Sequence, residues 1–91
     1  MQKRVHVKVQ GLVQGVSFRM FVVREAASRN ISGWTRNHPD GSVEIEAQGG
    51  AGMVDELIRM AKIGPSRSHI TSVTVRETPL EPTDEGFRII Y

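Results

Sequence analysis

Val5-His6-Val7-Lys8-Val9-Gln10-Gly11-Leu12-Val13-Gln14-Gly15-Val16-Ser17-Phe18-Arg19 changes its periodicity halfway along. Val5, Val7 and Val9 alternate with His6, Lys8 and Gln10, the period-two pattern of a strand with one apolar face. Gly11 is expected to close that strand. From Phe18 onward the apolar residues recur every four positions: Phe18, Val22 and Ala26, widened by Phe21, Val23 and Ala27. Arg19, Arg24, Glu25, Ser28 and Arg29 fall on other faces, so the pattern predicts an amphipathic helix ending near Asn30. Ser17 is expected to be its N-cap. The intervening Gly11–Val16 is too glycine-rich and too short to be helical.

The remaining elements follow outward from this unit. Ile31–Arg36 reads as a strand, and Asn37-His38-Pro39-Asp40-Gly41 as a turn in which proline presets φ and Asp-Gly supplies a left-handed position. Val43, Ile45 and Ala47 alternate with Glu44, Glu46 and Gln48, completing a hairpin and placing both glutamates on the solvent face. Gly49, Gly50 and Gly52 are expected to break that strand. Met53, Val54, Leu57, Ile58 and Ala61 form a second helical stripe, expected to lie in the core and stopped by Gly64-Pro65. Ile70 to Thr78 and Phe87 to Tyr91 read as two further strands, with Tyr91 closing the sheet. The order β-α-β-β-α-β plus a terminal strand predicts an α+β fold, the ferredoxin-like sandwich, with a mostly antiparallel sheet and two helices on one face, over a single domain spanning residues 1–91.

Composition narrows the chemistry. The 91 residues include no cysteine, which excludes disulfides, thiolate metal sites and a cysteine nucleophile. Lys+Arg 12 against Asp+Glu 10 gives +2, too small to argue for nucleic acid. Nine of those bases are arginine (positions 4, 19, 24, 29, 36, 59, 67, 76 and 88), the side chain suited to forked recognition of phosphate or carboxylate. No run approaches the roughly 20 apolar residues of a membrane span, and the basic start leads into alternating residues, not a signal core. A soluble, cytoplasmic protein is expected. The three histidines (6, 38 and 69) stand far apart and read as surface, with no metal cluster.

Gly11–Arg19 also carries the candidate site. Its two glycines let successive N–H groups turn inward as an anion-binding nest, and the following helix start adds free N–H donors and a positive dipole end. Arg19 sits in the first helical turn, where a cation is disfavoured unless an anion compensates it, and its fork could clasp two phosphate oxygens. Gly15 is followed by Val16-Ser17, so this is not a Walker loop. The plainer reading is a tight strand-to-helix turn with an exposed arginine. In the expected topology the first two strands run the same way, and Asn37 ends the second. It then faces the loop across one strand, about 10 Å away; on its own it also reads as a turn residue.

Two separated blocks resemble the acylphosphatases: Gly11–Arg19 their phosphate-loop signature, and Gly33-Trp34-Thr35-Arg36-Asn37-His38-Pro39-Asp40-Gly41-Ser42-Val43-Glu44 their second block. Val43 to Gly49, Gly64-Pro65 and Phe87–Tyr91 extend the resemblance over essentially the whole chain. It implies metal-independent hydrolysis of the carboxyl–phosphate bond of acyl phosphates, without a cofactor. Phosphate would be held by Gly11, Leu12, Val13, Gln14, Gly15, Val16, Ser17, Phe18 and Arg19, and Asn37 would position the water. The implied partners are a small acyl phosphate and, as a bound anion, inorganic phosphate or sulfate; the chain is expected to be a monomer that binds neither nucleic acid nor membrane. Two other readings compete. A non-catalytic domain could bind a small anion through the same loop. An RNA-recognition module shares the element order, but it needs stacking aromatics on its central strands, and Val5–Gln10 and Val43–Gln48 have none. Because the chain ends right after the last strand, it is expected not to be part of a larger enzyme.

Overall fold

A computed structural model describes all residues, Met1–Tyr91. The elements are β1 (Gln2–Leu12), α1 (Phe18–Ala27), β2 (Ser32–Asn37), β3 (Val43–Gly50), α2 (Ala51–Ile63), β4 (His69–Thr78) and β5 (Phe87–Ile89). They form one five-stranded sheet in the order β4-β1-β3-β2-β5. β3 pairs antiparallel with β1 and with β2, β4 pairs antiparallel with β1, and β5 adds parallel to β2. This is the ferredoxin-like α+β arrangement. The C-terminal ends of β1, β2 and β5 therefore share one edge of the sheet.

The apolar alternation decides which face the helices cover. Val5, Val7 and Val9 of β1 and Val43, Ile45 and Ala47 of β3 are buried against Phe18, Val22 and Ala26 of α1 and Val54, Leu57 and Ala61 of α2. Each buried Val, Leu, Ile or Phe among them contributes about 1.5–3 kcal/mol, and each alanine less. Met53 departs from its expected place in the core and is 39% exposed, because it lies in the first turn of α2, off the Val54–Leu57–Ala61 stripe.

Three strand ends differ from the sequence reading. β1 does not close at Gly11. It continues to Leu12 through a register shift between Gln10 and Gly11, after which Gly11 pairs with Ile70 and Leu12 with His69. A Cβ at Gly11 would overlap the His69 carbonyl oxygen, so this bulge depends on the missing side chain. Gly49 and Gly50 do not break β3, because they still pair with Lys3 and Gln2 of β1; α2 starts directly at Ala51 and contains Gly52. β5 ends at Ile89, leaving Tyr91 97% exposed, so Tyr91 does not close the sheet.

Glu44 and Glu46 were expected in solvent, but their side chains retain only 12% and 14% exposure. The face opposite the helices is covered by its own ion pairs. Arg4, 5% exposed, donates from Nε to Glu46 at 2.8 Å and from Nη1 to Asp84 at 2.8 Å. Glu44 accepts from Arg36 Nε at 2.8 Å and lies 3.0 Å from His6 Nε2. Asp84 belongs to the connection between β4 and β5, which folds over this face and bonds Gln48 through the backbone of Glu81. Trp34 lies on the same face, beneath the Arg36 guanidinium at 5.5 Å.

The two loop glycines should respond differently to a methyl group. Gly15 has φ +75° but open space around a Cβ, so Gly15→Ala costs only backbone strain, about 1–2 kcal/mol. Gly11→Ala adds an overlap with backbone at φ +126° and should cost distinctly more, about 3 kcal/mol or above. Urea unfolding followed by Trp34 fluorescence measures both.

Candidate active site

Between β1 and α1 the chain turns through Val13–Ser17, with Gly15 and Ser17 both left-handed at φ +75° and +63°. Ser17 does not cap the helix as expected. N-cap bonding needs an extended backbone at that residue, and the left-handed conformation leaves its hydroxyl without a cap bond. The first amide of this segment to find a carbonyl is Phe21, which donates to Ser17 at 3.0 Å. The amides of residues 14–20 donate to no acceptor in the chain. No acidic residue stands in the first turn of α1 to meet them. Unpaired N–H groups at a helix start carry the positive end of the helix dipole and favour a negative charge beside them.

This segment opens onto a cleft of about 350 Å³ lined by Val13, Gly15, Ser17, Phe18, Arg19, Met20, Asn37 and Ile89. Arg19, the second residue of α1, and Asn37, the last residue of β2, thus meet in one cleft because β1 and β2 end at the same edge. Arg19 takes part in no ion pair. Its guanidinium carbon lies 5.3 Å from the Tyr91 ring centroid.

The other loop residues divide by position. Val13 and Phe18 line the cleft but are buried, at 1% and 2% exposure, and anchor the segment in the core; Val16 packs against that core. Gly11 and Leu12 lie in β1 and do not line the cleft. Gln14 also does not line it; its side chain bonds the turn after β2. Sequence reasoning missed Ile89 and Met20 here, and gave Tyr91 a place at the end of the sheet, not its ring beside Arg19. Only the parallel addition of β5 beside β2 brings Ile89 and Tyr91 near, and no local pattern signals that.

The turn beside Asn37 is strongly braced. His38 N–H donates to Ser42 O at 2.9 Å and Gly41 N–H to His38 O at 3.0 Å. Asp40 Oδ1 accepts from Ser42 N–H at 2.9 Å and Oγ at 2.6 Å, while Lys8 Nζ reaches Oδ2 at 2.7 Å. The hydrogen bond from Lys8, then those from Ser42, hold the Asp40 carboxyl well below the usual carboxylate range. Burial pushes Glu44 up, but bonds from Arg36 and His6 outweigh it and hold the group down. Asp84 is likewise held down by Arg4 and Arg88 against the burial that would raise it.

A carboxyl lowered in the folded state adds stability above its unfolded pKa, about 4, and loses it as pH falls through the folded value. The urea midpoint should therefore stay nearly level from pH 7 to about 5 and fall below about 4. Glu44→Gln should flatten part of that acid slope; an unchanged slope contradicts the assignment.

Comparison with known proteins concerns the chain as a whole. The acylphosphatase family profile matches residues 5–89. The acylphosphatase of Chlorobaculum tepidum is 62% identical over 89 residues, covering 98% of this chain and 97% of that one. The crystal structure of the Bacillus subtilis acylphosphatase superposes with a TM-score of 0.94 at 36% identity, covering all of both chains. The same fold also occurs within a larger protein: full-length HypF, solved in a phosphate- and nucleotide-bound form, matches with a TM-score of 0.92 at 30% identity, over 100% of this chain and 12% of that one. On the family profile and on identity over nearly its full length, the chain belongs to the acylphosphatase family.

Proposed function

We propose that the cleft hydrolyses the carboxyl–phosphate bond of small acyl phosphates to a carboxylate and inorganic phosphate. The observation that carries this reading is that Gly15, Ser17, Phe18 and Met20, whose amides are free, line one cleft together with Arg19 and Asn37. The phosphoryl group rests against the amides, with Arg19 clasping its oxygens, and Asn37 holds a water on the face opposite the acyl group.

Such modest equipment suffices for this bond. The leaving group is a carboxylate whose conjugate acid has a pKa of about 4–5, so it departs without a general acid. Phosphoryl transfer proceeds through a loose transition state, and the nucleophile needs positioning more than activation. The water oxygen bonds to phosphorus as the bridging P–O bond breaks. The electron pair leaves with the carboxylate, and a water proton passes to a phosphoryl oxygen of the substrate. The fixed N–H donors and guanidinium meet the negative charge of the transition state at no cost in reorganisation.

The chain acts in this reading as one domain spanning residues 1–91, a monomer in the cytoplasm, with no nucleic-acid or membrane partner. In support, no helix is long and apolar enough to cross a membrane, and the central strands β1 and β3 present ion pairs where a base-stacking sheet presents aromatics.

Loss of benzoyl phosphate or acetyl phosphate on mixing with the protein tests the reaction; phosphate binding without turnover would identify a binding domain instead. Arg19→Ala should lower kcat/KM about 10³-fold and abolish inhibition by inorganic phosphate. Asn37→Ala should lower kcat about 10²- to 10³-fold while the phosphate inhibition constant stays within about threefold. If Asn37→Ala abolished phosphate binding, the division of roles would be wrong. Chelators should leave the rate unchanged.

A further inference from the structure

Gln14 sits within the free-amide segment, yet its side chain works elsewhere. The amide nitrogen donates to His38 O at 2.8 Å and to Ser42 O at 2.9 Å, using both of its hydrogens. These carbonyls also close the turn itself, one accepting from Gly41 N–H and the other from His38 N–H. A single side chain from the anion loop therefore spans both sides of the turn that starts directly after Asn37. Its two bonds join the loop directly to the turn, which Lys8 of β1 also reaches through Asp40.

The residue type matters. Two acceptor oxygens facing one atom require an NH₂ group on a side chain of fixed length. A carboxylate there would face two carbonyls with no proton to share, and a thioether of the same reach would leave both without this partner.

We infer that Gln14 is a positioning residue: it sets the distance and angle of Asn37 relative to the phosphate cradle and acts on the reaction through Asn37. The inference rests on the water-positioning role proposed above. It separates two properties that a purely structural glutamine would change together. The cradle is built from the loop's own amides and Arg19, so phosphate affinity should survive loss of the Gln14 side chain, whereas the placement of the water should not.

The test is a mutant cycle with benzoyl phosphate as substrate and inorganic phosphate as inhibitor. Gln14→Met should lower kcat about ten- to a hundredfold, with the phosphate inhibition constant within about twofold of the parent. In an Asn37→Ala background the same substitution should change kcat by less than about twofold. An equal loss in both backgrounds, or phosphate affinity falling in step with kcat, would overturn the inference. Gln14→Glu should resemble Gln14→Met. A second readout does not depend on turnover: in ¹H–¹⁵N spectra, Gln14→Met should shift or broaden the Asn37 side-chain amide pair while the β1 amides stay in place. If the parent chain hydrolyses no acyl phosphate, the proposed function fails, and an unmoved Asn37 amide then overturns the positioning role independently.

Discussion

β3 pairs antiparallel with β1 on one side and with β2 on the other, and the cleft depends on that double pairing. Two strands that are both antiparallel to a third must point the same way. Their ends, the start of α1 and the turn after Asn37 are thereby delivered to one edge of the sheet. The register is set by burial: Val5, Val7 and Val9 face the same side as Val43, Ile45 and Ala47, and a slip of one residue in either strand would turn that strand's set outward. Hydrophobic packing, which carries no chemistry, thus decides where Arg19 and Asn37 meet.

The two faces of the sheet solve different problems. The helix face supplies the burial that a small chain needs. The opposite face carries Arg4, His6, Arg36, Glu44, Glu46 and Asp84, neutralised in close pairs. At the sheet edge the pattern reverses, with amides and a guanidinium left without partners beside a helix start. The cost of holding Arg19 at the positive end of a helix dipole is one that a bound phosphate would offset.

Much of this was legible in the sequence, for identifiable reasons. Period-two valines and a four-residue apolar repeat state which residues are buried, so element order and the ferredoxin-like fold followed. Gly15, without a Cβ penalty at positive φ, and Arg19 at a helix start are local signals and pointed to the loop. What was missed is non-local. Gly49 and Gly50 look like strand breakers until β1 pairs with them. Glu44 and Glu46 look solvated until Arg4, His6 and Arg36 arrive from neighbouring strands. Ser17 matches the cap preference, but the left-handed turn that frees the loop amides removes its cap bond. The partners of Gln14 are backbone carbonyls, which leave no trace in residue identity.

The proposed function puts the phosphoryl group in the amide cradle and has the water held by Asn37 attack phosphorus. Hydrolysis of acetyl phosphate in H₂¹⁸O, read by mass spectrometry of both products after a single turnover, tests this directly. The heavy oxygen is expected in inorganic phosphate, with none in acetate. Label in the acetate would place the attack on the carbonyl carbon and contradict it.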